Sequence, residues 1–304
     1  MQNKSKLPQV QYQQNIHNEC PTPNGILFII GGHEQKIGEN KKDKNDKKGE
    51  ARHIELDVLK TFVKLIPKQN PLIVVVTSAS SEETKETFNE YKETFQEFCT
   101  CEISQIHHET RADLLKDLEE ELISQADAVF FCGGDQLKLT SIYGGSKFLT
   151  LLKERYIHDK LVIAGTSAGA MALSTPMIYA GTNRNEMIAG NVKITTGLEF
   201  MRDVCIDTHF VDRGRFVRMA QVMATNPTSI GIGIEEDTAI IVRKGVDIEI
   251  VGNGVIIIIN AHKSYGTNIT EFNNDKTLSI RNLTVHILSA GETFKLPEDN
   301  PPHR

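Results

Sequence analysis

The apolar positions of this chain fall into two patterns that alternate. Short unbroken runs occur at Gly25-Ile-Leu-Phe-Ile-Ile-Gly-Gly32, Pro71-Leu-Ile-Val-Val-Val-Thr77, residues 127–132 and Leu161-Val-Ile-Ala164. Their length and continuity are those of strands buried on both faces. Between them the period lengthens: His53 to Ile66 carries apolar residues at 54, 58, 59, 62, 63 and 66, which is helical spacing. Serine and glutamate at 81–83 open a polar helix that runs to about Phe98. Helical patterns recur at about 111–124 and after Gly134 through Leu149 and Leu151. This alternation predicts an α/β fold with a doubly wound, mostly parallel sheet and ligand chemistry at the carboxyl ends of its strands.

Beyond Asn226-Pro227 the character changes. Gly231–Val242, Asp247–Val251 and Gly254–Asn260 read as short strands with glycine turns, a β-rich ending to one domain spanning 25–296. Residues 1–24 are a polar extension and 297–304 a loose tail. The lysine-rich insert at about 36–50, with its KKDKNDKK run, has nothing to bury and reads as a solvated loop.

The strand at Leu161 leads into Gly165-Thr-Ser-Ala-Gly169, and a helix-compatible AGAMAL follows. G-x-S-x-G between a strand and a helix is the spacing of a nucleophile elbow, in which a strained turn lifts the serine hydroxyl above the sheet. Ser167 is therefore the candidate nucleophile; the same letters in another context would be only a tight turn. A second strand ends in Gly133-Gly-Asp-Gln136, by itself a loop signal. Beside the elbow, backbone N–H groups at Gly134 and Ala168 would form a two-donor oxyanion hole.

The third feature is Asp207-Thr-His-Phe-Val-Asp-Arg-Gly-Arg-Phe-Val-Arg218. One histidine among ten carries little weight, but His209 has an acid at Asp207 and guanidiniums at Arg213, Arg215 and Arg218. A candidate base beside three arginines points to an anionic substrate, since arginine grips carboxylates in bidentate fashion. A solvated basic helix start is the plain alternative.

Composition narrows the classes. At 304 residues and 39% apolar content the chain can bury one α/β core, and a net charge of −6 with mixed signs argues against nucleic acid. Five cysteines, at 20, 99, 101, 132 and 205, show no framework spacing and read as reduced thiols. The longest apolar run, Val255–Ile259, is too short to span a bilayer, and the first 24 residues lack an apolar core for a secretory signal, so the expectation is cytoplasmic. No cofactor is implied: Gly31-Gly32 lacks both G-x-G-x-x-G and a phosphate-loop lysine. Glu235, Glu236 and Asp237 form an acidic cluster without a histidine at ligand spacing, which favours a structural or substrate-side role over metal.

GGDQ, GTSAGA and DTHFxxRGRxxR, in this order and spacing, resemble the cyanophycinases, in the serine peptidase family that also holds the aspartyl dipeptidases. The resemblance runs from roughly Gly25 to Val285. It implies a fold similar to class I glutamine amidotransferases, a homodimer, and exolytic release of β-aspartyl-arginine from cyanophycin, a polyaspartate bearing arginine on its side-chain carboxyls. Carried over, Ser167 is the nucleophile, His209 the base, and Gly134 and Ala168 the oxyanion positions. Gln136, Asp207, Thr208, Arg213, Arg215 and Arg218 belong to the substrate pocket, with Asp207 free to pair with a substrate guanidinium. Glu186, the nearest carboxylate between serine and histidine, is the expected triad acid; neighbouring Asn185 would orient an imidazole but not stabilise its cation. Thr208 stands where a longer amide side chain is expected. Two other readings stay open: a peptidase of short acidic peptides, and a silent member that binds an arginine- or aspartate-rich peptide.

Overall fold

The computed structural model describes residues 21–34, 36, 57–80, 84–115, 119–181, 186–270 and 275–297. The polar extension through residue 20, nearly all of the lysine-rich insert, and the tail from 298 lie outside them. Along the chain come β1 (Ile26–Ile30), α1 (Asp57–Leu65), β2 (Leu72–Val76), α2 (Thr84–Phe98), β3 (Glu102–Ile106), α3 (Arg111–Leu114), α4 (Glu120–Gln125), β4 (Ala128–Phe131), α5 (Gln136–Tyr143), α6 (Lys147–His158), β5 (Val162–Thr166) and α7 (Ala168–Ala172). Then follow β6 (Ser174–Thr175), β7 (Met177–Ala180), β8 (Lys193–Thr195), β9 (Met201–Arg202), β10 (Val204–Asp207), α8 (Phe216–Thr225), β11 (Ile230–Ile234), β12 (Thr238–Arg243), β13 (Asp247–Gly252), β14 (Val255–Asn260), β15 (Thr284–Ser289) and β16 (Thr293–Lys295).

The unbroken apolar runs became the parallel centre of an eight-stranded sheet ordered β16-β13-β12-β1-β5-β4-β2-β3. From β1 through β3 every pairing is parallel, and β12 closes antiparallel onto β1. Successive residues point to opposite faces of a strand, so both faces must be covered. Phe28, Ile73, Val75 and Phe130 pack under α1 and α2 with Phe62, Tyr91 and Phe95. The rings meet tilted or edge-on, Tyr91 to Phe130 at 4.8 Å and Phe62 to Phe95 at 5.3 Å between centroids. On the other face Leu27, Val74, Val129 and Phe131 share one core with Ile206, Ile232 and Ile256 of a second sheet. That second sheet, β15-β14-β11-β10-β6-β9, has a parallel β10–β11 pair at its centre.

Two expected elements differ. The helical pattern after Gly134 is two helices, α5 and α6, parted at Gly144-Gly145. Gly145 has φ of 64°, and Ser146 restarts the helix by accepting the Leu149 N–H at 3.1 Å. The pattern at 111–124 is likewise α3 and α4. Strands β15 and β16 add to the β-rich ending; most of their residues are exposed, so no continuous apolar run marks them.

Candidate active site

Ser167 sits between β5 and α7 with φ 50° and ψ −114°, a backbone region that costs a non-glycine residue free energy. The fold sustains this strain because the helix runs almost onto the sheet. A Cβ on Gly169 would lie 2.2 Å from the Phe131 carbonyl oxygen, so only glycine permits this approach. The Ser167 amide is tied back to the Ile30 carbonyl at 3.2 Å. Its Oγ stands 2.9 Å from His209 Nε2, and His209 Nδ1 stands 2.5 Å from Glu236 Oε1.

Topology explains this meeting of distant residues. Strands β10 and β11 are parallel, with Asp207 opposite Gly233, so both chains leave the sheet at the same end. Two residues past Asp207 comes His209; two and three past Gly233 come Glu235 and Glu236. The turn after β1 completes the seat. Gly31 O accepts the His209 N–H at 2.9 Å, and Gly32 (φ 98°) lies so close that an added Cβ would fall 2.4 Å from the imidazole.

The charges are consistent with a base held neutral. Burial lowers the His209 pKa; the bond to Glu236 opposes this, and the charges of Arg213 and Arg215 reinforce it. For Glu236, burial acts to raise the carboxyl, but the bond and charge of His209 outweigh it and the pKa falls below the usual carboxylate value. With Nδ1 donating to this carboxylate, Nε2 is left to accept the Ser167 O–H.

Glu186 is not the carboxylate on His209. Its carboxyl is set among the charges of Arg218, Asp207 and Arg215, and burial raises its pKa against the pull of Arg218. Nearness in sequence misled here, because the acid comes from the strand beside the histidine's own. Glu236 was visible only as part of the Glu235–Asp237 cluster inside the run Gly231–Val242 read as strand; the structure breaks that run at 235–237, between β11 of one sheet and β12 of the other.

Asp207 also departs from expectation. It is fully buried, and both its oxygens are occupied. Arg218 Nε donates to Oδ2 at 2.6 Å and its Nη2 donates to Oδ1, which Arg215 Nη1 also reaches at 3.1 Å. It therefore orders two guanidiniums rather than offering a carboxylate to substrate. Arg215 also donates to Thr208 O at 2.7 Å. The Thr208 side chain is wholly buried, so it presents no open surface to a ligand. Arg213 is exposed beside the triad. Gln136 begins α5 and donates to Ile178 O at 2.9 Å. Across the site the GG turn approaches the serine: a Cβ on Gly133 would be 3.4 Å from Ser167 Cβ. Gly134 has φ of 136°, and Ala168 is the first residue of α7, where helical N–H groups have no partner within the helix.

Hydroxyl, imidazole and carboxylate in this order, at the strand ends of a two-sheet α/β fold, define a serine-type hydrolase. Residues 47–250, well over half the chain, match the family described as Peptidase family S51, and the chain belongs to that family of serine-type peptidases. It is similar to the cyanophycinase of Synechococcus elongatus, with 29% identity over 92% of this chain and 82% of that protein. The cyanophycinase of Nostoc sp. strain PCC 7120 is 26% identical over 96% and 93% of the two chains. The fold resembles a solved peptidase from an acI-B1 Actinobacterium, with a TM-score of 0.59 at 20% identity, covering 91% of this chain and 98% of that one. Among the described residues no helix is long and apolar enough to cross a membrane, and no group of three acidic, histidine or cysteine side chains is arranged to hold a metal.

Proposed function

We propose that this chain is a serine exopeptidase that cleaves cyanophycin to β-aspartyl-arginine dipeptides through an acyl-enzyme. The observation that carries the chemistry is the continuous path from Ser167 Oγ through His209 to Glu236. His209 Nε2 takes the hydroxyl proton as Oγ bonds to the amide carbonyl carbon, while Nδ1–H stays with Glu236 and the imidazolium is stabilised. The Gly134 and Ala168 amides receive the developing oxyanion. When the C–N bond breaks, the same imidazolium gives its proton to the leaving amine. Water then repeats the sequence on the ester and releases the acid.

The substrate assignment draws on the named relatives and on the charges around the serine. Exposed Arg213 and half-buried Arg215, the latter ordered by Asp207, suit an aspartyl carboxylate, while Arg218 is buried against Asp207 behind them. Gln136, two residues past Gly134, is read as belonging to the same substrate pocket. On the Glu236 side, exposed Asp212 has its pKa raised chiefly by the charge of Glu235, a surplus of negative charge that suits a substrate guanidinium. The intact proton path weighs against a silent binding protein.

The test is incubation with purified cyanophycin, wild type beside Ser167→Ala, with products read by mass spectrometry. Release of β-aspartyl-arginine by wild type alone is expected. Release by neither protein, with both shown to be folded, would overturn the substrate; cleavage of short aspartyl peptides instead would reassign it.

A further inference from the structure

The turn after β1 contributes nothing to the proton path, yet it touches every segment that does. Ile30 O receives the Ser167 amide at 3.2 Å, Gly31 O receives the His209 amide at 2.9 Å, and Gly32 O receives the Asp237 amide, next to Glu236, at 3.0 Å. Gly31 N–H in turn donates to Thr238 O at 2.9 Å. With Gly32 pressed against the imidazole, a small shift of this turn would move the base relative to the hydroxyl.

What fixes the turn from behind is Glu34. It is only 4% exposed, an unusual place for a carboxylate unless its oxygens are hydrogen-bonded. Both are. Thr166, the residue immediately before the nucleophile, donates its hydroxyl to Oε2 at 2.6 Å, and Tyr91 of α2 donates its phenol to Oε1. Tyr91 is pinned as well: its pKa is raised by burial, which keeps the phenol a donor, and Lys36 Nζ lies 4.4 Å over its ring. Lys36 also pairs with Glu90 of α2 at 3.0 Å. One buried carboxylate thus joins the turn, the strand end that carries Ser167, and the helix layer beneath.

We infer that Glu34 is a positioning residue for the Ser167–His209–Glu236 path, locking the 31–34 turn to Thr166 and Tyr91 so that Gly31 and Gly32 hold the imidazole in register with the hydroxyl. This rests on the reading of those three residues as the catalytic set. Glu34 itself touches neither substrate nor the reacting atoms.

The test compares wild type, Glu34→Gln, Glu34→Ala and Tyr91→Phe, with Ser167→Ala as the blank. The first readout is the rate at which a fluorophosphonate labels Ser167, which does not depend on knowing the substrate. Glu34→Ala is expected to label on the order of a hundredfold more slowly, the scale of loss from a misplacement of about 1 Å. Glu34→Gln, which keeps one carbonyl acceptor, should recover part of that loss, and Tyr91→Phe should lose least. On cyanophycin the decrease should fall on kcat with KM unchanged. The second readout is the downfield proton NMR signal of the His209–Glu236 bond, which should shift or broaden in Glu34→Gln. Folded Glu34→Gln and Tyr91→Phe proteins with wild-type labelling rates and an unmoved signal would overturn the proposal even if Glu34→Ala unfolds. A wild type that is neither labelled at Ser167 nor active would instead sink the catalytic reading, with the NMR signal still reporting on Glu34.

Discussion

Two glutamates, Glu186 and Glu236, have opposite surroundings, and the difference supports Glu236 as the acid of the proposed mechanism. Glu236 meets a histidine that lowers its pKa, so it is an anion when the imidazole charges; Glu186 lies beside Asp207 in a buried place that raises its pKa. Replacing Glu236 by Gln should therefore lower kcat by about 10³–10⁴-fold with the fold intact, the scale seen when a triad acid becomes an amide. Glu186→Gln should leave the acid limb of the pH–rate profile where it is; kinetics over the acid-to-neutral range on both variants checks the pair. The limb itself has a predictable place. The proposed mechanism needs neutral His209, and burial with the charges of Arg213 and Arg215 lowers its pKa, so kcat/KM should fall on acidification only below the ordinary histidine value. Arg213→Gln removes one charge that disfavours imidazolium, so the limb should move toward higher pH. Movement toward lower pH would contradict this account of the field. At this scale Ser167 and His209 were legible because local motifs surround them. Glu236 was not: its contact depends on the β10–β11 register, which no short stretch of sequence encodes.

The elements that carry these residues are joined by buried polar side chains as well as by apolar contact. Helix α8 is anchored to β10 through Arg218, whose side chain is 4% exposed against a wholly buried Asp207. Removing Arg218 takes two hydrogen bonds from the buried Asp207 carboxylate and leaves it to Arg215. Arg218→Ala should destabilise the protein by about 3 kcal/mol, the lower end for breaking a buried pair, measurable as a lowered urea midpoint. The same helix holds the loop bearing Glu186 through Gln221, which donates to the carbonyls of Glu186 and Ile188 and accepts from Gly190 N–H. Gln221→Ala should speed hydrogen exchange at residues 188–191 while leaving that of β2 and β4 unchanged. The central strands were readable as elements because burial on both faces leaves only apolar residues in them. The break between α5 and α6 was harder to see, since both helices keep buried apolar residues at Leu139, Ile142, Leu149 and Leu152 on either side of it. The glycine pair with the following serine was the available sign.

Across the whole molecule, neither sheet completes the site alone. The eight-stranded sheet brings Ser167 just past β5 and the turn after β1; the six-stranded sheet brings His209 and Glu236 past β10 and β11. What aligns them is a core common to both sheets, in which Leu27, Val129 and Phe131 cluster with Ile206, Ile232 and Ile256. Chain connectivity reinforces it, for the segment after β11 in one sheet runs through Glu236 into β12 of the other. Two sheets with separate cores would part at different denaturant concentrations, and activity would vanish before secondary structure. A shared core predicts one transition instead. In urea, loss of fluorophosphonate labelling at Ser167, loss of far-UV circular dichroism, and exposure of the buried thiols Cys132 and Cys205 should share a single midpoint. Those thiols report on the two sheets separately, Cys132 at the end of β4 and Cys205 within β10, so divergence of their reactivity curves would show the sheets to be independent units. Coincidence would mean that the 2.9 Å contact between hydroxyl and imidazole is maintained by the cooperative unit as a whole, and that any core substitution acts on catalysis mainly through the fraction of molecules folded.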